Sequence, residues 1–176
     1  MSGLARRIHE ACHLTGEFVL RSGATSHEYF DKYLFEAQPA LLADVADELV
    51  ALVPDGVDAI AGLELGGIPL ATALSARTGI PTRFVRKQAK PYGTRRLAEG
   101  GEVAGQRLVV VEDVVTSGGQ LLESCRELAA RGAGIVRTIC VIDRQSGGGE
   151  NLRREGFELV ALFTADDLRE AADVRR

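Results

Sequence analysis

Residues 108–120, LVVVEDVVTSGGQ, constrain the fold more than any other stretch. Leu108 to Val111 is wholly apolar, which fits a strand buried on both faces of a parallel sheet. An acid pair, a glycine turn and the amphipathic run Gly119 to Arg131 follow, with Leu121, Leu122, Cys125, Leu128 and Ala129 on one side. A buried strand passing through a tight turn into a helix is the repeating unit of a parallel α/β sheet.

The same alternation runs through most of the chain. Val57 to Gly62, Thr82 to Val85, Ile135 to Ile142 and Leu159 to Phe163 read as short strands, and Ile68 to Thr78 as a helix closed by Gly79. Pro39 opens a helix whose Leu41, Leu42, Val45, Leu49 and Val53 recur at a helical period. Before it, Leu4 to Leu14 suits a short helix, and Glu17 to Leu20 and Glu28 to Phe35 suit two strands around Ser22 to Thr25. Gln88 to Gln106 shows no strand or helix pattern, and Gly147 to Gly149 reads as a turn. In such a sheet ligands bind at the carboxyl ends of strands, so the loops after Ile60, Val85, Val111 and Ile142 carry the chemistry.

Composition narrows the class. At 176 residues the chain suits one domain, and its net charge of −4 gives no electrostatic basis for nucleic-acid binding. No apolar run approaches membrane-spanning length, and MSGLARRIHEACH lacks the apolar stretch of a secretion signal. Cys12, Cys125 and Cys140 fit neither a disulfide framework nor a zinc spacing, so reduced thiols in a cytoplasmic protein are expected. Of 21 basic residues only Lys32, Lys87 and Lys90 are lysines.

The acid–glycine segment has a specific chemical use. Its glycines let backbone N–H groups approach an anion, and the new helix adds its unpaired N–H groups and positive dipole end. Thr116 and Ser117 add hydroxyl donors, and either can cap the helix. Glu112 and Asp113 would repel phosphate but accept hydrogen bonds from neighbouring hydroxyls, so ribose 5-phosphate matches the set. Neither a P-loop lysine nor a G-x-G-x-x-G pattern is present. The alternative is a capped helix start after a buried strand.

VVVEDVVTSGG resembles the phosphoribosyl-pyrophosphate motif of the type I phosphoribosyltransferases, and its Thr-Ser-Gly is most similar to the orotate branch. That resemblance implies contacts to phosphoribosyl pyrophosphate from Glu112, Asp113, Val114, Val115, Thr116, Ser117, Gly118, Gly119 and Gln120. The stretch RFVRKQAKPYGTRRLAEG concentrates Arg83, Arg86, Lys87, Lys90, Arg95 and Arg96, and its lysines suit a pyrophosphate as compact, mobile charges. Gly93, Gly100 and Gly101 would let it act as a lid. This stretch resembles the family's catalytic loop, R-K-x-x-K. The resemblance assigns Arg86 and Lys90 to the pyrophosphate and implies that Lys87 reaches the partner's active site in a homodimer. Tyr92 stands where many members carry histidine. Lys87, Lys90 and Asp113 are the catalytic residues it implies.

EFVLRSGATSHEYFDKYLF, residues 17–35, resembles the hairpin that covers the base in the orotate branch. Arg21 stands at a phosphoribosyl-pyrophosphate position where many members have lysine, and Tyr29 and Phe30 match the aromatic pair beside the base. Packing in the hairpin core is their alternative use. The family places an orotate-binding arginine at Arg144, whose planar fork suits a carboxylate, although an ion pair with Asp143 would also occupy it. Thr116 is implied to touch orotate as well. Gly62 to Gly67 aligns with the second pyrophosphate loop, with Gly66 where many members carry lysine. A rival signal, His9-Glu10-Ala11-Cys12-His13, matches the H-E-x-x-H of zinc proteases. Its extended form needs a third histidine where Val19 stands, and a methionine turn that Met1 cannot supply.

The resemblance therefore implies a type I phosphoribosyltransferase fold: an α/β domain with a five-stranded, mostly parallel sheet flanked by helices. Residues 1–38 would form a helix and hood and residues 39–176 the core. The implied reaction joins orotate to phosphoribosyl pyrophosphate, yielding orotidine 5′-phosphate and pyrophosphate in UMP synthesis. Mg²⁺ would be held mainly by the substrate, with no direct protein ligand. No nucleic-acid or membrane partner is expected. A purine phosphoribosyltransferase and a non-catalytic regulator on the same fold are the alternatives.

Overall fold

A computed structural model of the chain describes residues 2–19, 23–89 and 96–173; Arg21, Lys90, Tyr92 and Arg95 lie outside them. The chain opens with helix α1 (Ser2–Cys12) and an antiparallel hairpin of β1 (His13–Val19) and β2 (Thr25–Phe30). Helices α2 (Tyr33–Glu36) and α3 (Pro39–Leu49) lead to β3 (Ala59–Leu63) and α4 (Gly67–Thr78). Then come β4 (Thr82–Val85), β5 (Ala98–Glu99), β6 (Arg107–Val115), α5 (Gly119–Ala130) and β7 (Gly134–Asp143). Helix α6 (Gly148–Arg154), β8 (Leu159–Thr164) and α7 (Ala165–Asp173) complete the described chain.

The main sheet runs β5-β4-β3-β6-β7-β8. Strands β4, β3, β6, β7 and β8 are the five parallel strands expected, and β5 adds a two-residue antiparallel edge against Phe84 and Val85. From β3 the chain moves outward to β4, then returns to lay β6 on the other side of β3. That reversal is a topological switch point, where strand ends part and leave a crevice. The loops after β3 and β6 flank it.

Alternation along β6 explains its all-apolar start. Val109 and Val111 pack into one core with Ile8, Phe35, Val45, Leu49, Leu70, Leu74 and Val141. Leu108 and Val110 face the other core, with Leu121, Cys125, Leu128 and Leu152. Helix α1 belongs to the first core, where Ala5, Ile8 and Cys12 meet Leu168 and Ala171 of α7. Only the hairpin stands apart, as its own two-stranded sheet. Phe35 is fully buried, and replacing it by alanine would cost about 3–5 kcal/mol.

Several boundaries depart from the sequence reading, among them β1, which starts at His13 rather than Glu17. The strand expected over Glu28 to Phe35 ends at Phe30, because Tyr33–Glu36 turns into a helix that buries Phe35. β6 continues through the acid pair to Val115, since Glu112, Val114 and Val115 stay paired with β7. Gly147 to Gly149 is a helix start rather than a plain turn, with Gly147 at φ 88° as N-cap of α6. β5 is a further departure, too short to leave a periodic signal. The H-E-x-x-H helix is not formed: α1 ends at Cys12, and His13 opens β1 with its ring stacked on His9 at 4.8 Å.

Candidate active site

Glycine sets the crevice width. A Cβ on Gly67 would lie 2.3 Å from the Val111 carbonyl oxygen, and one on Gly62 would lie 2.5 Å from that of Gly67. Helix α4 therefore starts pressed against β3 and β6, which no larger residue permits. Across the crevice, Gly118 at φ 75° ends the turn after β6 and α5 begins at Gly119. Neither Thr116 nor Ser117 caps α5: Gly118 is the N-cap and no side chain bonds there. The first N–H groups of α5 thus face a concavity of about 250 Å³ lined by Glu112, Val114, Val115, Thr116, Ser117 and Gly118 to Leu121. Exposed backbone donors at a helix start with hydroxyls beside them suit a phosphate.

Helix α6 braces this turn, a support that the sequence reading missed. Asn151 Nδ2 donates to the Ser117 carbonyl oxygen at 2.9 Å. A Cβ on Gly148 would lie 2.6 Å from both the Thr116 oxygen and Val115 Cγ1. Only the Gly-Gly-Gly run hinted at such a close approach.

The acid pair is split between the two faces of β6. Glu112 borders that concavity, whereas Asp113 sits in a buried polar cluster against Gly66, beside the crevice. There Lys32 Nζ lies 2.8 Å from both Asp113 carboxylate oxygens, and the Val114 N–H donates to Oδ1. Glu36 of α2 joins the cluster, and Gly66 closes it: a Cβ at position 66 would lie 1.7 Å from Asp113 Oδ2. Burial, with repulsion from Asp113, pushes the Glu112 carboxyl up to about 8. Burial and then Asp113 push Glu36 up to about 9. Burial works against the charge on Lys32, but the Asp113 hydrogen bond and attraction outweigh it and raise its pKa. Lys32 and Glu36 carried no motif; only their positions between hairpin and core reveal them.

The basic stretch is largely engaged in structure. Buried Arg83 donates to the carbonyl oxygens of Thr82, Gly100 and Glu102 and to Gln106 Oε1, so it is a strut. Gly100 and Gly101 wrap that strut at φ 93° and 139° rather than standing free as hinges. Arg96 pairs with Glu102, and Arg86 lies 3.7 Å from Glu99. Lys87 is exposed at the carboxyl end of β4, its N–H donating to Glu64 Oε1 at 2.7 Å. Its neighbours Lys90 and Tyr92 lie outside the described residues.

A second cavity, about 310 Å³, lies under the hairpin and is lined by residues including Phe30, Ser26, His13, Ile142, Arg144 and Arg169. Phe30 and Arg144 thus meet, as the sequence suggests. Tyr29 does not join them; it is 45% exposed and stacks on Phe18 at 5.4 Å. Thr116 lines the phosphate concavity instead. Burial, then His13, lowers the pKa of His9, which leaves the arginines as the fixed positive charges of this cavity. The two hollows are joined through backbone, since the Arg144 N–H donates to the Val115 carbonyl oxygen at 2.8 Å.

Known proteins resemble this chain over most of its length. Residues 35–165 match the family profile described as phosphoribosyl transferase domain. An orotate phosphoribosyltransferase of Nocardioides sp. is 51% identical over 94% of this chain and 92% of its own. Another, from Halobacterium salinarum, is 43% identical over 89% of each chain. The solved structure of Mycobacterium tuberculosis orotate phosphoribosyltransferase in complex with 5-phospho-α-D-ribosyl 1-diphosphate has a TM-score of 0.81 at 29% identity, covering 96% of this chain and 98% of that one.

Proposed function

The chain belongs to the phosphoribosyl transferase domain family, among its orotate phosphoribosyltransferases, and on that premise we propose how it works. It transfers ribose 5-phosphate from phosphoribosyl pyrophosphate to orotate, giving orotidine 5′-phosphate and pyrophosphate on the way to UMP. The observation that carries this reading is the pair of hollows joined at Val115 and Arg144: a backbone cradle for the 5′-phosphate, and an arginine-bearing cavity beside Phe30 for an anionic base. The base nitrogen displaces pyrophosphate from C1 of the ribose, and positive charge develops on the sugar. Glu112 and Asp113 accept the ribose hydroxyls and favour that charge. Arg86, Lys87 and Lys90 serve the departing pyrophosphate, as the resemblance assigns them, and it assigns Arg21 and Tyr92 to the same substrate. Phe30 flanks the base beside Arg144, while Tyr29 and Thr116, which the resemblance also assigns to it, do not line that cavity.

Glu112 already accepts the Asp113 N–H, and Asp113 is held by Lys32 and Val114, so neither stands open as a metal cage. Mg²⁺ would therefore be held mainly by the substrate's own oxygens and would supply screening of the leaving pyrophosphate's charge. We further propose a homodimer in which Lys87 serves the partner's site. Three free, buried thiols support a cytoplasmic location. No helix of the described residues is long and apolar enough to cross a membrane.

The test is the absorbance change on mixing orotate, phosphoribosyl pyrophosphate and Mg²⁺ with the protein. Turnover is expected, and Lys87→Ala should lower it by about a thousandfold with the fold intact. Turnover of a purine base but not orotate would overturn the base assignment; none with any base would point to a regulator.

A further inference from the structure

Strand β6 sends Asp113 into a cluster sealed from solvent. Asp113 is 0% exposed, whereas the Lys32 side chain lying on both its oxygens keeps 34% of its surface in solvent. Gly66 backbone lies on one side, Glu36 on another, and the Val114 N–H occupies Oδ1. Lys32 is therefore the movable part of the seal. A ribose hydroxyl reaching Asp113 must replace the ammonium.

Charge makes the same residue necessary when the site is empty. Glu36 on α2 and Glu112 on β6 face Asp113, and Tyr33 presents its ring 5.3 Å from Lys32 Nζ. Cys12 on α1 lies near Glu36, and Cys140 on β7 near Glu112; burial pushes both thiols up, so neither adds charge at neutral pH. Among the described residues, Lys32 is the cation of this group of three carboxyls. A buried carboxylate stripped of its counter-charge takes up a proton or turns away. An ammonium on a long stem can leave its partner for water more readily than a forked guanidinium. In a chain that uses arginine for 18 of its 21 basic residues, lysine at this position is the informative choice.

We propose that Lys32 is a positioning residue of the ribose site: it holds Asp113 aimed at the crevice while the site is empty and yields it to the ribose hydroxyls. The proposal rests on reading the crevice as a ribose-phosphate site but not on the identity of the base. Lys32 follows β2 by two residues, so its release also connects the hairpin over the base cavity to the ribose.

The chain contains three lysines, so protein labelled with ¹⁵N-lysine gives at most three ammonium signals, assigned through Lys87→Ala and Lys90→Ala. In the unaltered protein the Lys32 signal should exchange slowly with water and then shift or broaden when ribose 5-phosphate is added. In Lys32→Met, affinity for ribose 5-phosphate should fall by about tenfold, the loss of one charged hydrogen-bond system. The KM for phosphoribosyl pyrophosphate should rise equally while that for orotate stays within about twofold. With the cation gone the carboxyls hold protons to higher pH, so the acid limb of kcat/KM should move upward, and Lys32→Arg should restore it in part. A Lys32 signal unmoved at saturating ribose 5-phosphate overturns the proposal, as does unchanged affinity in Lys32→Met. Should that variant fail to fold, the signal in the unaltered protein decides alone. A moving signal in a protein that does not use orotate would sink the base assignment and leave Lys32 in place.

Discussion

On the proposed reading, the two faces of β6 serve one task, holding a ribose phosphate, by opposite means. Toward α5 the site is backbone: a glycine turn, helix N–H groups, and α6 propping the turn from behind. Toward the hairpin it is side chains: Lys32, Asp113 and Glu36 packed against Gly66. Backbone donors keep their charge at any pH and move only if the fold moves. The carboxyl cluster depends on which of its members holds a proton, so it is the tunable half.

Three perturbations probe that contrast. Gly66→Ala places a carbon on top of Asp113 Oδ2 and should displace the carboxylate, lowering kcat/KM about a hundredfold, as misplacement of a positioned group does. Steady-state kinetics beside a thermal melt check it; full activity would mean that the aim of Asp113 is irrelevant. Gly148→Ala pushes on Thr116 and Val115 from behind the cradle and should weaken phosphoribosyl pyrophosphate binding about tenfold, the scale of an overpacked contact. That loss should leave the pH profile set by Asp113 and Glu36 little changed, because neither lines the concavity of the turn.

The smallest effect is on stability. Glu36 is raised from an ordinary 4.5 to about 9, so the folded state keeps a proton that the unfolded chain releases. Its stabilisation is fully present below pH 4.5 and is lost as pH rises through about 9. The slope cannot exceed about 1.4 kcal/mol per pH unit for one retained proton. Denaturant melts from about pH 5 to 9 should show falling stability, less steep in Glu36→Gln, where Glu112, raised to about 8, retains its share. A parallel decline in both proteins would show that Glu36 does not hold the proton.

The backbone half was legible in the sequence and the side-chain half was not. Apolar runs, glycines and a helix start leave local patterns, so the parallel strands and the Thr116 to Gly119 turn could be read directly. Lys32 and Glu36 meet Asp113 only because the chain crosses about eighty positions of sequence to bring them together. No spacing rule records such a meeting. Arg83 shows the converse: it was grouped with the basic residues by proximity, yet its neighbours are carbonyl oxygens that fix it in the sheet. Splitting the acids Glu112 and Asp113 required knowing that β6 stays a strand through both, which its charged residues concealed.

The rung between Arg144 and Val115 has a dimensional consequence. Strand pairing fixes Val115 opposite Asp143, so the phosphate cradle and the arginine of the base cavity are registered to one another by backbone hydrogen bonds. A slip of one residue would shift them by about 3.3 Å and turn Arg144 to the opposite face. The sheet thus acts as a caliper set to one spacing between phosphate and base, and a substrate with a longer or shorter reach would be rejected by length before its chemistry is tested.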